Sequence, residues 1–286
     1  MPGRVQVLGL DRLSGELSAV EVDLPGTDPA SVRGPSGWVL VGASLDGGRV
    51  VGGSAPECAL QRTVSGAFAA QTARCANLLG AYAALDRARA FLISAGAEAL
   101  PAAPIVADAA DAPAGIRYVA EADAFTLTPG PSGARIPAAL NPGAVAREAA
   151  RRQLRTLAGP HPDAVEGVAL FVGAAAAGDP GYLGASDGKG DPTGQLDLSR
   201  PLPAGAPASA VLAGALWAWA DASSDPVGAA RAALAAVRAL GERPDAGGVE
   251  TTLLSLVAGQ LDGAERDQAC AVFRAHLAAA GIEACR

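Results

Sequence analysis

The spacing of apolar residues changes along this chain, and this change constrains the fold more than any other feature. Up to residue 55 apolar side chains tend to alternate, as over residues 17–24, and the turn Asp46-Gly47-Gly48 predicts a hairpin. Over residues 65–95 they recur every three or four positions, which predicts a helix. Short strand patterns return over residues 101–140. Beyond them we predict helices over 142–157, 163–177, 208–221, 225–241, 246–260 and 264–280, with Asp163 as the N-cap of the second. A β-rich, then mixed, then all-helical order predicts an α+β protein.

Arg147 and Arg151 lie one turn apart in the first of these helices, and Glu148 follows Arg147. Residues four apart share one face of a helix. In the pattern His-Glu-x-x-His, two imidazoles at this spacing hold zinc and the Glu acts as a base. A guanidinium stays protonated and has no lone pair to give a metal. The helix therefore has the spacing of a zinc helix and side chains that exclude zinc.

The composition bounds what the protein does. The 286 residues include 36 Gly and only 4% aromatic residues, which is typical of a globular protein built from small side chains. The net charge of −7 and the absence of a Lys/Arg-rich run argue against nucleic-acid binding. No apolar run is long enough to span a bilayer. Residues 1–4 lack the pattern of a signal peptide, so we expect either a cytosolic protein or a trimmed mature portion.

The four cysteines form two couples that are local in sequence, and the spacing within each is unlike that of a zinc finger. The simplest pairing is Cys58–Cys75 and Cys270–Cys285, which implies an oxidising compartment. The alternative is four buried free thiols in a cytosolic protein. We favour the disulfides because Cys285 lies beside the C-terminus, and we therefore expect a secreted or cell-envelope protein, with a cytoplasmic location as the alternative.

Six segments occur in the order of one known family. Residues 77–91 contain Asn-x-x-x-x-Tyr-x-x-Leu-Asp-Arg, and residues 124–136 match a strand pair that borders a substrate cleft. The others fall where the family has a first zinc helix (141–154), a second zinc helix, of which Glu-Gly is kept (166–170), a Gly-Ala-Leu-Trp helix start (213–217) and a closing segment (271–282). The chain from about residue 60 to 286 thereby resembles the gluzincin zinc metallopeptidases of the thermolysin and fungalysin type.

This resemblance implies a thermolysin-like two-lobe fold, with a mixed N-terminal lobe and an all-helical C-terminal lobe. The implied parts are a β-rich segment (1–58), the lobe with the vestigial zinc helix (59–160) and the helical lobe (161–286).

The resemblance also implies which catalytic positions have changed. The zinc histidines correspond to Arg147 and Arg151, the general base to Glu148 and the third zinc ligand to Glu166. The Asp that supports a zinc histidine corresponds to Leu170, and the segment before Trp217 has no His for the oxyanion. Metal binding and catalysis are both affected. We therefore expect that the chain binds no zinc and no other cofactor. We assign no catalytic residue and regard Glu148 as a vestige of the general base.

We predict that a guanidinium of Arg147 or Arg151 takes the zinc position and pairs with Glu166, with Glu148 as a further candidate partner. Two carboxylates in one cleft repel each other, and a cation between them offsets that repulsion. The alternative is that both arginines lie on a solvated helix face.

No second metal site is predicted. His161 and His276 are expected to be surface or helix-terminal residues. The acidic loop 187–191, with Asp179 and Asp197 nearby, is expected to be a solvated turn and not a calcium site, because its spacing does not match the EF-hand pattern.

The function predicted from these features is that of a non-catalytic metallopeptidase-like protein, a pseudopeptidase. Its residual cleft, between the Arg147 helix and the strand pair 124–136, binds a peptide or a protein segment by sheet-edge pairing, or binds nothing. One alternative is an active hydrolase with an unrecognised site, so enzymatic activity is left uncertain. Another is a structural or adhesion module of an exported protein that binds through its β-rich N-terminus. The sequence does not define an oligomeric state.

Overall fold

The computed structural model describes residues 3–10, 17–108, 115–128, 140–155, 157, 161–182, 196–243 and 248–285. They form a mixed α+β protein, as predicted. The strands are β1 (Gly3–Leu10), β2 (Leu17–Leu24), β3 (Arg33–Gly34), β4 (Gly37–Asp46), β5 (Arg49–Ser54), β6 (Leu60–Arg62), β7 (Phe68–Ala70), β8 (Ala103–Ala107), β9 (Gly115–Val119) and β10 (Ala124–Thr128). The helices are α1 (Ala73–Ser94), α2 (Pro142–Leu154), α3 (Pro162–Ala177), α4 (Ala208–Ser223), α5 (Pro226–Gly241), α6 (Val249–Gly259) and α7 (Gly263–Leu277).

The N-terminal part forms a four-stranded sheet with the order β2-β1-β7-β6. β1 pairs antiparallel with β2 and parallel with β7. Alternate residues of β1 face the core, and Val5 and Val7 are buried there. The first helix was predicted to begin at residue 65, but it begins at Ala73, and residues 68–70 belong to β7. The helix starts later because Thr72 caps it, with its hydroxyl accepting from Cys75 N at 3.3 Å.

The second sheet has the order β3-β4-β8-β10-β9, and β5 also pairs with β4. The predicted hairpin at Asp46 is confirmed, because Asp46 lies opposite Arg49. Gly47 and Gly48 both have positive φ, as a two-residue hairpin turn requires. Within this sheet β10 is an interior strand, parallel to β8 on one side and antiparallel to β9 on the other, and all five of its residues are buried.

Two helices that follow the sheets carry the predicted site. α2 has Pro142 in its first turn and Asn141 as N-cap, whose side chain accepts from Gly143 N and Ala144 N. The prediction that Asp163 caps α3 is wrong. Pro162 has a backbone suited to the first helical position, so the helix begins one residue earlier and His161 takes the cap position.

Both predicted disulfides are present. Cys58 pairs with Cys75, and Cys270 pairs with Cys285, each with a Cα–Cα distance of 5.6 Å. The first ties the loop before β6 to the start of α1, and the second ties α7 to the C-terminal segment. The pairs are compatible with an extracellular location. None of the described helices is both long and apolar enough to cross a membrane.

One hydrophobic cluster includes Val5, Leu79 and Leu216, which come from the three ranges that the sequence predicted as separate parts. That division stays a prediction. A Cβ added to Gly167 of α3 would lie 2.9 Å from Ser209 O near the start of α4, so the two helices approach more closely there than a larger residue would allow.

Candidate functional site

Arg147 and Arg151 lie on the face of α2 that packs against α3. Both point to Glu166, which lies in the second turn of α3. Arg151 Nε donates to Glu166 Oε2 at 2.7 Å, and Arg147 Nη2 donates to the other oxygen, Oε1. One carboxylate is thus held by two guanidiniums. The predicted pairing is confirmed, and the alternative of a solvated face is wrong, because the arginine side chains are only 19% and 26% exposed.

Glu148 lies on a different side of α2, towards the second sheet. Its side chain is almost fully buried and accepts two hydrogen bonds. Arg151 Nη1 donates to Glu148 Oε1 at 2.7 Å, and the backbone N–H of Tyr118 in β9 donates to Oε2 at 2.8 Å. A buried carboxylate is costly unless it is paired and hydrogen-bonded. Here one cation and one backbone donor provide both, so Arg151 joins Glu148 and Glu166 into one network.

The network holds two positive and two negative side chains. Burial of the Arg151 guanidinium opposes its charge, but the carboxylates of Glu148 and Glu166 outweigh this, so the pKa of Arg151 is raised. Two guanidiniums thus face two carboxylates, and each carboxylate is engaged by at least one guanidinium.

Tyr182 adjoins the network, and the sequence analysis did not identify it. The side chain is 2% exposed, and burial raises the pKa of its hydroxyl, which is therefore neutral. Neither the Tyr182 hydroxyl nor Arg147 Nε has a hydrogen-bond partner among the described residues. Asn141 fixes the tyrosine from the backbone side, since Asn141 Nδ2 donates to Tyr182 O at 2.7 Å.

Two glycines make room for the Tyr182 ring. A Cβ on Gly143 would lie 2.4 Å from the ring, and a Cβ on Gly173 would lie 2.6 Å from the hydroxyl oxygen. Gly143 is in α2 and Gly173 is in α3, so the ring lies where the two helices meet. These helical glycines were the only sequence signal of the tyrosine. The sequence contains no signal of the contact between Tyr118 and Glu148, because it is made by the backbone N–H of Tyr118, and every residue except proline has a backbone N–H.

A second network holds the end of β9 against α2. Arg152 donates to both carboxylate oxygens of Asp123 at 2.8 Å, and Tyr118 Oη donates to the same side chain at 3.0 Å. The hydrogen bond from Arg152, helped by the one from Tyr118, lowers the pKa of Asp123 despite partial burial. Arg155 adds a bond from its guanidinium to Tyr118 Oη. Arg151 and Arg152 of α2 and Arg155 at its C-cap thus contribute to contacts around Tyr118.

The residues at the predicted zinc position do not fit a zinc ion. Two of the four are guanidiniums, which have no lone pair for a metal. Leu170, at the position of a supporting Asp in the resemblance, is buried in the apolar core. Among the described residues no group of three His, Cys, Asp or Glu side chains is arranged to hold a metal.

The two histidines were predicted to be surface or helix-terminal residues, and the exposure part of that prediction is wrong. His161 does lie at the N-terminus of α3, but it is buried and its Nε2 lies 3.0 Å from Arg243 O. His276 lies in the last turn of α7, where it is buried against Gly214 of α4. His276 Nε2 has no partner among the described residues, and burial lowers the pKa of this side chain. For His276, sequence spacing did not distinguish the buried face of α7 from a solvated one, since α7 has few strongly apolar residues.

The acidic loop was expected to be a solvated turn. Its core, residues 187–191, lies outside the described residues, as does the Gly-rich stretch around it. The flanking carboxylates form local turns. Asp179 accepts from Gly181 N, and Asp197 accepts from Ser199 N and pairs with Arg200.

The predicted peptide cleft is wrong in one respect. A peptide can pair only with a free strand edge, and β10, the first strand of the proposed pair, is flanked on both sides. The second strand, at 134–136, lies outside the described residues. Within the described part of the sheet the terminal strand beside α2 is β9, and Glu148 already accepts the Tyr118 N–H there.

No model of a protein family matches this chain, and no curated protein matches it either.

Proposed function

We propose that this chain is a non-catalytic, metallopeptidase-like protein with a thermolysin-like two-lobe fold. In it an internal salt-bridge network takes the place of the zinc site. The proposal rests on the resemblance in the sequence together with one geometric observation. Arg147, Glu148, Arg151 and Glu166, the positions that correspond to two zinc ligands, the general base and the third ligand, converge into one hydrogen-bonded cluster on α2 and α3.

The contacts of the cluster account for the loss of catalysis. A gluzincin general base needs a metal-bound water to activate. Here the Glu148 carboxylate is engaged by Arg151 and by Tyr118 N. Glu166, the position of the third ligand, is engaged by both guanidiniums. The same groups that would handle zinc and water are used to hold α2, α3 and β9 together.

The network also closes the strand edge at which a substrate-like peptide would pair. The outward N–H of Tyr118 donates to the carboxylate of Glu148, which therefore lies where the carbonyl of a paired peptide would lie. We therefore propose that the ancestral cleft is self-occupied, and that the cluster now serves as a structural junction between the sheet and the helices.

The proposal is tested by metal content and by cleavage. Purified protein, dialysed with and without added zinc, is analysed for bound metal and assayed against a mixture of denatured proteins. We expect no stoichiometric zinc and no cleavage above that of a Glu148→Gln variant, which keeps the size of the side chain. Stoichiometric zinc, or cleavage that the Glu148→Gln change abolishes, would overturn the proposal in favour of an active peptidase.

A further inference from the structure

A small cavity lies on the opposite side of α2 from the salt-bridge network. It opens between α1, α2 and β10 and has a volume of about 30 Å³. A single water needs about 10–15 Å³ by this measure, so the cavity holds two atoms of water size. Its floor is apolar and buried, and includes Leu85, Phe125 and Ala149. Ile93 and Glu98 are exposed lining residues and mark the side on which it opens.

Two polar side chains face this cavity without a partner. Gln153 of α2 is 9% exposed, lines the cavity, and has no hydrogen bond with any described residue. Arg89 of α1 lines it too, forms no ion pair, and has a buried Nε without an acceptor. Buried amides and guanidiniums are nearly always hydrogen-bonded. The buried, unpaired Nε of Arg89, with the Gln153 amide beside it on the same cavity, is the chemical complement of a ligand that brings acceptors.

Arg152 and Ser36, two other polar residues of the cavity wall, are already engaged, and Glu98 at the opening offers acceptors only. Arg152 donates both to Asp123 and to Pro101 O. The Ser36 hydroxyl donates to Asp86, and Ser36 N donates to Tyr82 Oη. The free donors of the cavity are therefore those of Arg89 and Gln153, and the positive charge of Arg89 is not balanced by a contact.

We propose that this cavity is a binding site for a carboxylate that carries a short apolar group. One carboxylate has two oxygens, which matches the volume, and the Arg89 guanidinium binds it through charge-assisted hydrogen bonds. The Gln153 amide donates to one oxygen, and the apolar group lies against Leu92 and Ile93 towards the opening. A larger tetrahedral anion has more oxygens than the space accepts. This site is separate from the salt-bridge network and does not depend on the proposed function.

Butyrate is the probe, and butyramide is its neutral match in shape. Binding is followed by NMR at neutral pH, through the side-chain amide signal of Gln153 and the Nε signal of Arg89. We expect a saturable shift with butyrate in the millimolar range and none with butyramide. A short peptide with a free C-terminal carboxylate, compared with its amidated form, shows whether the source is a free acid or a chain end. Binding of either carboxylate supports the site.

Substitutions separate the ligand contacts from folding. Arg89→Gln should weaken butyrate binding about ten- to a hundredfold, and Gln153→Leu about three- to tenfold, as expected for loss of a charged and of a neutral hydrogen bond. Arg87→Gln is the matched control, because Arg87 lies on the same helix, is exposed and has no partner among the described residues. Unchanged circular dichroism spectra show that each variant is folded.

Glu98 provides a further check at the opening. If its carboxylate competes for Arg89 in solution, Glu98→Gln should strengthen butyrate binding. The proposal is overturned if butyrate and butyramide shift the signals equally, if neither carboxylate gives a saturable shift, or if Arg89→Gln binds butyrate as the Arg87→Gln control does. Those results would mean that the cavity holds water only.

Discussion

Replacement of Arg151 by methionine removes the one guanidinium that Glu148 and Glu166 share. Glu166 keeps its bond from Arg147, but Glu148 is left with the Tyr118 N–H alone. Breaking a fully buried ion pair costs about 3–5 kcal/mol, because the remaining charge has no partner. The Arg151 and Glu166 side chains are 26% and 23% exposed, so solvent screens part of their interaction and the loss is smaller. We therefore expect the free energy of unfolding to fall by about 2–4 kcal/mol.

The measurement is urea denaturation followed by tryptophan fluorescence, since Trp219 is buried and packs edge-on against Phe273. Arg87→Met is the matched control, because Arg87 is exposed and has no partner among the described residues. It should change stability by less than about 0.5 kcal/mol. Adding Glu148→Gln to Arg151→Met removes the uncompensated charge and should restore part of the loss. If Arg151→Met is no less stable than Arg87→Met, the network does not hold the helices together and the reasoning fails.

Two further predictions concern buried groups outside the network. Burial lowers the pKa of His276, so below about pH 6.5 the unfolded chain binds a proton that the folded chain does not. The free energy of unfolding should therefore fall as pH drops through this range, by at most about 1.4 kcal/mol per pH unit. Urea titrations at several pH values should show a shallower fall for the His276→Gln variant. An equal dependence on pH in the two proteins would contradict this prediction. Gly143→Ala should cost about 1–3 kcal/mol, because its Cβ would overlap the Tyr182 ring. Calorimetry should show no loss of stability for Gly259→Ala, because Gly259 is a helical glycine with open space around it. If Gly143→Ala and Gly259→Ala change stability equally, the overlap with Tyr182 is not the cause.

The sequence predicted the elements whose pattern is local. The strand at residues 17–24, the hairpin at Asp46 and the order of the helices follow from alternation, turn residues and helical spacing, which depend on neighbouring positions only. Both disulfides were predicted correctly because each pair is close in sequence. Boundaries were less accurate where a second constraint acted, as with Thr72, whose capping bond delays α1 and leaves residues 68–70 to a strand.

Contacts between distant segments were predicted only where charge demanded them. The pairing of Arg147 and Arg151 with Glu166 was predicted because the resemblance places the three residues at one site, and carboxylates at one site need cations. The contact of Glu148 with β9 was not predictable, since it is made to a backbone N–H, which nearly every residue has. The interior place of β10 and the burial of both histidines depend on which faces the rest of the chain covers. That information is spread over the whole core and is absent from any short window.

Restoring the histidines tests the central claim most directly, which is that α2 and α3 keep the scaffold of a zinc site whose ligands have changed. The variant Arg147→His/Arg151→His places two imidazoles one turn apart, opposite Glu166. Isothermal titration with zinc should show one tight site, which the additional change Glu166→Gln weakens. The control Arg147→His/Arg152→His carries the same two substitutions with one moved to another face of the helix, and it should bind no better than the unaltered chain. Equal zinc binding by the variant and this control would contradict the account.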